Sequence, residues 1–215
     1  MERIWLKNYP PGVPHDIDTE QYKSLTDLME RAFREHGDNP FSVCMNRWMS
    51  YKELNQLSTA LGAWLQSKGL PPGSRVAIML PNLPQFAVTM AAVLRAGYTC
   101  VNVNPLYTAR ELQHQLKDSG ATTIVVLENF AATLQEVIED TAVQHVVLAS
   151  IGDLLGAWYG RWMTFAVRHL AKMVPEFELP LTGGRQVIQF KKVIAQGRQL
   201  NLKPSVQTLD DTAFL

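Results

Sequence analysis

The sequence predicts an α/β protein: an open, mostly parallel sheet with helices on both faces. Three observations point there. Short apolar runs begin at Arg75 (RVAIML), Tyr98 (YTCVNV), Thr122 (TTIVVL) and His145 (HVVLA), at intervals of 23, 24 and 23 residues. The runs are continuously apolar rather than alternating, as strands covered on both faces must be. Helical spacing fills the gaps between them, at residues 84–96, 108–118 and 130–139, which is the order of βα units in a parallel sheet.

Taken from the N-terminus, residues 1–23 form an extended segment, because Pro10, Pro11 and Pro14 forbid regular helix. Residues 24–150 form the α/β subdomain. Ser24 opens a helix with Asp27 three residues on, an approximate capping box. Leu25, Leu28, Met29, Ala32 and Phe33 keep helical spacing, and Gly37 ends it. Residues 41–49 read as a hairpin with its turn near Asn46. Ser50-Tyr51-Lys52-Glu53 is a full capping box; it starts a helix carrying Leu54, Leu57, Leu61 and Leu65 on one face, closed at Gly69. The four βα units follow. Their shared period belongs to the fold and not to a repeat array, since they share no residue signature. Residues 151–215 hold an aromatic, basic helical segment, a loop over 175–184, a short helix over 190–200, and the start of a further strand at 210–215.

Composition narrows the function. The 215 residues are 47% apolar and 19% charged, enough for a sizeable core. Lys plus Arg and Asp plus Glu number 20 each, which argues against a nucleic-acid partner, since such surfaces carry a basic excess. Cys44 and Cys100 lie in strand-like stretches with no CxxC or Cys/His ligand spacing. They read as reduced, inert thiols, and no metal site is expected. The start lacks the apolar core of a signal peptide. The longest uncharged run, 76–94, is broken by Pro81, Asn82 and Pro84, so it reads as strand, turn and helix rather than a membrane span.

Candidate sites are few. The stretch VNVNPLYTARELQHQL ends a strand abruptly at Asn104-Pro105 and starts a helix on the capping box Thr108-Ala109-Arg110-Glu111. This corner, and residues 80–85, sit at strand carboxyl ends, where open parallel sheets bind ligands. Neither carries the glycines that let a backbone wrap a phosphate. The five histidines are scattered, and the adjacent pairs Glu139-Asp140 and Asp210-Asp211 point apart. Gly183-Gly184 reads as a loop. No catalytic, cofactor-binding or metal-ligating residue is assigned.

One segment suggests an interface. In WYGRWMTFAVRHLAKMV, Arg161, Thr164, Arg168 and Lys172 form a polar stripe on a helical wheel. Trp158, Trp162 and Phe165 lie on another side. Cations beside an aromatic arc suit a helix lying in the headgroup layer of anionic lipid. Trp158, Arg161, Trp162, Phe165, Arg168 and Lys172 are therefore the candidate membrane contacts. The rival reading packs the apolar arc on the parent protein.

Several stretches carry a specific resemblance. VNVNPLYTARELQHQLKDSGA, IWLKNYPPGVPHDID, YKSL, RVAIMLPNLPQFAVTMAAVLRAG, TAVQHVVLASIGDLL and MVPEFELP together resemble the bacterial long-chain fatty-acid–CoA ligases of the adenylate-forming superfamily, over essentially the whole chain. Ala109 departs from the Pro that relatives often carry there, at little cost because Ala is a good helix former. The resemblance implies the N-terminal domain of an enzyme that activates a long-chain fatty acid with ATP and Mg²⁺ and passes it to coenzyme A. It implies a cytoplasmic protein, peripheral on the inner face of the plasma membrane, with a homodimer as a further expectation for the parent enzyme. In relatives, the stretch matching Thr212-Ala213-Phe214-Leu215 leads into a glycine-rich phosphate loop that these residues do not contain. The domain is thus expected to be incomplete at its C-terminus, the chain inactive alone, and none of these cofactors bound strongly. Two other readings stay open: a non-catalytic binding or membrane-docking module, and a sister adenylating enzyme acting on another acid.

Overall fold

Continuous apolar runs need cover on both faces, and they receive it. The computed structural model describes residues 2–215. Its central strands are β3 (Arg75–Met79), β4 (Thr99–Asn102), β5 (Thr123–Leu127), β6 (His145–Ala149) and β7 (Gln186–Gln189), all parallel, in the order β4-β3-β5-β6-β7. A separate antiparallel hairpin, β1 (Pro40–Cys44) and β2 (Arg47–Ser50), turns on Met45 and Asn46, both left-handed, as the right-handed twist of a tight hairpin requires.

Alternate residues of each strand feed two cores. On one face Val76, Ile78, Val125 and Val147 meet helices α1 (Leu25–Glu35), α2 (Tyr51–Gln66), α3 (Pro84–Arg95) and α7 (Phe190–Gly197), through Phe33, Leu61, Trp64, Val88 and Phe190. On the other, Ala77, Met79, Ile124, Val126 and Val146 meet α4 (Ala109–Ser119) and α5 (Ala131–Gln135), through Leu112, Leu116 and Leu134. Each such buried aliphatic side chain contributes roughly 1.5–3 kcal/mol. Helix α6 (Ala157–Phe165) stands at the carboxyl end of the sheet and passes into a π-helical turn, Ala166–Leu170.

Local signals set the helix starts. The hydroxyls of Ser24, Ser50 and Thr108 each accept the backbone N–H three residues on. Only Thr108 and Glu111 complete the reciprocal box. The full box expected at Ser50 is half formed, because both oxygens of the Glu53 carboxylate accept from Arg47 Nη2, at 2.9 and 3.0 Å, instead. At α1 the Asp27 carboxylate accepts from Lys23 N–H.

Three expectations are corrected. The N-terminal segment carries one 3-10 turn, Ile4–Asn8. The helix expected over 130–139 is broken: α5 stops at Gln135, Val137 leaves helical angles at φ −126°, and a 3-10 turn, Ile138–Asp140, follows. Val137 and Ile138 are both buried, so the chain bends to seat two adjacent branched side chains. Strand β7 falls between the expected loop and the expected helix, where the sequence shows no element. It is four residues long with glutamine at both ends and half-buried valine and isoleucine between, a pattern too short to register as a strand until β6 pairs with it.

The last residues do start a strand. Ala213 and Leu215 carbonyls accept from Cys100 and Asn102 N–H at 2.9 and 3.2 Å, and Leu215 N–H donates to Cys100 O at 2.9 Å. They run parallel to β4 along its outer edge.

Candidate functional site

In this strand order the chain moves from β3 outward to β4, then crosses back to β5 on the other side of β3. The reversal opens a crevice between the carboxyl ends of β3 and β5, the usual ligand position in open α/β sheets. Two corners and one polar cluster border it.

The Asn104 corner satisfies itself. The Asn104 side chain accepts from Leu106 N–H at 3.0 Å and its carbonyl from Tyr107 N–H at 3.1 Å. The Glu111 carboxylate accepts from Thr108 N–H and hydroxyl at 2.9 and 2.8 Å; the backbone bond first, then the hydroxyl, hold that carboxyl below its ordinary range. These groups are spent on the turn. At residues 80–85, Leu83 caps α3 without a side-chain bond and Pro84 occupies the first turn. Gln85 is fully buried and donates to Ser150 O at 2.9 Å.

That bond leads to a cluster at the ends of β5 and β6. Glu128, the residue after β5, is 1% exposed. Its Oε2 accepts from Arg168 Nε at 2.9 Å and from Arg168 Nη2, which also reaches the Ser150 hydroxyl at 3.2 Å. Asp153 accepts from Ser150 N–H at 2.7 Å and pairs with Lys191 at 3.6 Å. Burial pushes the Asp153 carboxyl above its ordinary range, against the pull of Ser150 N–H and Lys191. Each acid thus has a dedicated cation, and each cation a buried partner.

Arg168, 40% exposed, brings α6 to this cluster through Glu128, and Thr164 borders the body of the protein. Gly160 lies against Gly152 so closely that a Cβ on either would overlap the other's backbone, and the Thr164 hydroxyl borders the same contact. Val167 is buried, and Asn129 Nδ2 donates to Met173 O at 2.9 Å. Two residues of the predicted polar stripe, Thr164 and Arg168, therefore also touch the body of the protein, while Arg161 and Lys172 stay in solvent. The π-turn ends the stripe's register, and Lys172 follows the helix with φ 50°. Trp158, Trp162 and Phe165 are exposed at 85%, 56% and 47%, with Arg161 over the Trp158 ring at 5.9 Å and Lys172 also in solvent. Of the six candidate contacts, five are exposed without a buried partner and Arg168 is committed to Glu128.

Sequence reasoning missed Glu128, Asp153 and Arg185, and reached Gln85 only as part of the 80–85 corner. A lone acid directly after an apolar strand was a usable signal for Glu128. Arg185, 7% exposed, donates to the carbonyls of Val143, Pro180 and Ile138 at 3.0, 3.1 and 3.2 Å and ties the loop before β7 to the sheet. Burial raises the Cys100 thiol to about 12, so it stays protonated. Among the described residues no group of three or more His, Cys, Asp or Glu is placed to hold a metal.

A family model described as AMP-binding enzyme matches residues 29–173. The chain belongs to the AMP-binding enzyme family. It is 45% identical over 217 residues to a long-chain-fatty-acid–CoA ligase of Yersinia pestis, covering 100% of this chain and 38% of that protein. The match to the Salmonella typhimurium ligase of the same name is 43% with the same coverage. The chain therefore spans 38% of the length of these relatives. Among solved structures it is similar to the anthranilate CoA ligase AuaEII in complex with anthranoyl-AMP, with TM-score 0.68, 16% identity, 90% of this chain and 32% of the other. It is also similar to a long-chain-fatty-acid-CoA ligase from Archaeoglobus fulgidus, with TM-score 0.64, 22% identity, 96% of this chain and 36% of the other. Those two likenesses show the fold of the family.

The residues of this family member do not by themselves fit a nucleotide phosphate or Mg²⁺. Neither corner offers a glycine-lined backbone, and the acids of the cluster, Glu128 and Asp153, are held by Arg168 and Lys191.

Proposed function

We propose that this chain forms the first α/β layer of an ATP-dependent long-chain fatty-acid–CoA ligase, which makes acyl-CoA, AMP and pyrophosphate from fatty acid, ATP and coenzyme A. The observation that carries it is identity of 45% with a long-chain-fatty-acid–CoA ligase along the whole of the chain. Mg²⁺ offsets phosphate charge in such an adenylation. The contribution of these residues is a rigid sheet edge and crevice against which the rest of an active site is built. A chimera tests this. Replacing the matched 217 residues of the Yersinia pestis relative with this chain is expected to preserve palmitate-dependent pyrophosphate release and palmitoyl-CoA formation. A soluble, folded chimera that adenylates no long-chain acid overturns the reading, and one that prefers an aryl acid redirects it to a sister enzyme. The 215-residue chain alone is expected to form no palmitoyl-CoA; ATP-dependent product from it counts against the role of a partial layer.

A second reading concerns the aromatic helix. We infer peripheral contact with anionic lipid on the inner face of the plasma membrane, through Trp158, Trp162, Phe165, Arg161 and Lys172. Its support is the outward arc of rings flanked by cations, with no acid between Asp153 and Glu176. Among the described residues no helix is long and apolar enough to cross a membrane, so contact would be at the surface. Co-sedimentation with anionic phospholipid vesicles at low salt is expected, and changing Trp162 and Phe165 to Ser should release the chain. Wild-type chain left wholly in the supernatant ends this reading.

A further inference from the structure

The aromatic helix is held by its two ends, and by different means. At the first turns Gly160 meets Gly152 backbone to backbone, with Thr164 beside them. Shape alone makes this contact. At the far end, in the π-turn, Arg168 reaches across to Glu128 at the end of β5 and to Ser150 at the end of β6. Glu128 lies 40 residues earlier in the chain and its side chain is 2% exposed. A carboxylate that buried is stable only with its cation in place. The pair therefore fixes the rotation of the helix about its axis, and with it the outward aim of Trp158, Trp162 and Phe165.

We propose that the Glu128–Arg168 pair is a latch that sets the presentation of the aromatic face, with Glu128 as a positioning residue that never touches lipid. This rests on the lipid-contact reading above and adds its control. The latch also has an electrostatic consequence. While closed, it ties the Arg168 guanidinium, 40% exposed, to Glu128 and neutralises it, leaving Arg161 and Lys172 as the free cations. Opened, it releases a further cation on the same side of the molecule. One buried carboxylate at the crevice of the sheet thus governs both how firmly the rings are aimed and how much positive charge accompanies them.

Two measurements on the purified chain test this, and they fail separately. In solution, hydrogen exchange of amides 161–171 is compared between wild type and Glu128→Gln. Exchange should quicken on the order of tenfold, as loss of a charge-assisted pair predicts, while β3 to β6 stay protected. Unchanged exchange overturns the latch whether or not lipid binds. On vesicles of anionic phospholipid, Arg161→Gln should weaken binding about fivefold, the effect of one cation near such a surface, and Glu128→Gln should strengthen it by about as much. The double variant Glu128→Gln with Arg168→Gln loosens the rings without freeing a cation, so it should bind no more tightly than wild type and clearly more weakly than Glu128→Gln. If the double variant binds as tightly as Glu128→Gln, the released Arg168 charge is not what strengthens binding and the proposal is wrong. If wild type binds no vesicle, the lipid reading fails and the exchange result alone decides whether the latch exists.

Discussion

At the scale of single residues, close approach and burial decide what can change. Gly197 of α7 lies against the Ala60 carbonyl of α2, and a Cβ there would overlap it. Gly197→Ala should cost about 3 kcal/mol, the upper range of overpacking, read as a lower denaturant midpoint at unchanged slope. His145, packed edge-on to Trp64 at 6.5 Å, has its pKa lowered from the ordinary 6.5, first by burial and then by the charge of Lys68. The unfolded chain therefore takes up this proton more readily than the folded one. The stabilising share of a neutral His145 is complete above pH 6.5 and is lost as pH falls through that value towards the folded pKa. Urea midpoints should accordingly drop between pH 7.5 and 5.5, about the span over which a histidine titrates, and His145→Gln should flatten part of that drop. A slope unaffected by the substitution would place its cause in other groups. Residues such as His145, Gln85 and Arg185 could not be read from the sequence, because each depends on a partner 42 or more residues away.

At the scale of elements, what was legible was local. The caps at Ser24, Ser50 and Thr108 were readable because a hydroxyl and an N–H three residues apart meet within one turn. The strand starts were readable because burial on both faces writes a continuous apolar run. The broken helix after Phe130 and strand β7 were not, since one bends to fill a core and the other exists by pairing with β6. On α6 a helical wheel shows a polar side but cannot tell which of its residues meets buried Glu128. Thr108→Ala tests the complete capping box. It should lower stability by about 1 kcal/mol, while Thr108→Asp should retain most of it. Ser50→Ala should cost a similar amount with Arg47–Glu53 intact, because that ion pair does not depend on the cap. Thermal melts of the three variants separate these outcomes.

At the scale of the molecule, two cores are closed and several outer faces are not. Beside the aromatic helix, Val43, Met45 and Trp48 of the hairpin and Ile4, Trp5 and Ile17 of the N-terminal segment are exposed. Exposed large apolar side chains in such number favour association. The chain should therefore bind an apolar fluorescent dye at neutral pH and self-associate with concentration; a strictly monomeric chain that leaves the dye dark would contradict this. The strand begun by Ala213 to Leu215 has a consequence of another sort. Thr99 on β4 and its partner Thr212 are 113 residues apart in the chain. A ribosome adding about 5–20 residues per second needs roughly 6–23 s to make that stretch. Throughout that interval the outer edge of β4 has emerged with no strand of its own to receive it. Nascent chains are thus most open to pairing with one another in this window, and slower translation or a crowded polysome would lengthen the exposure.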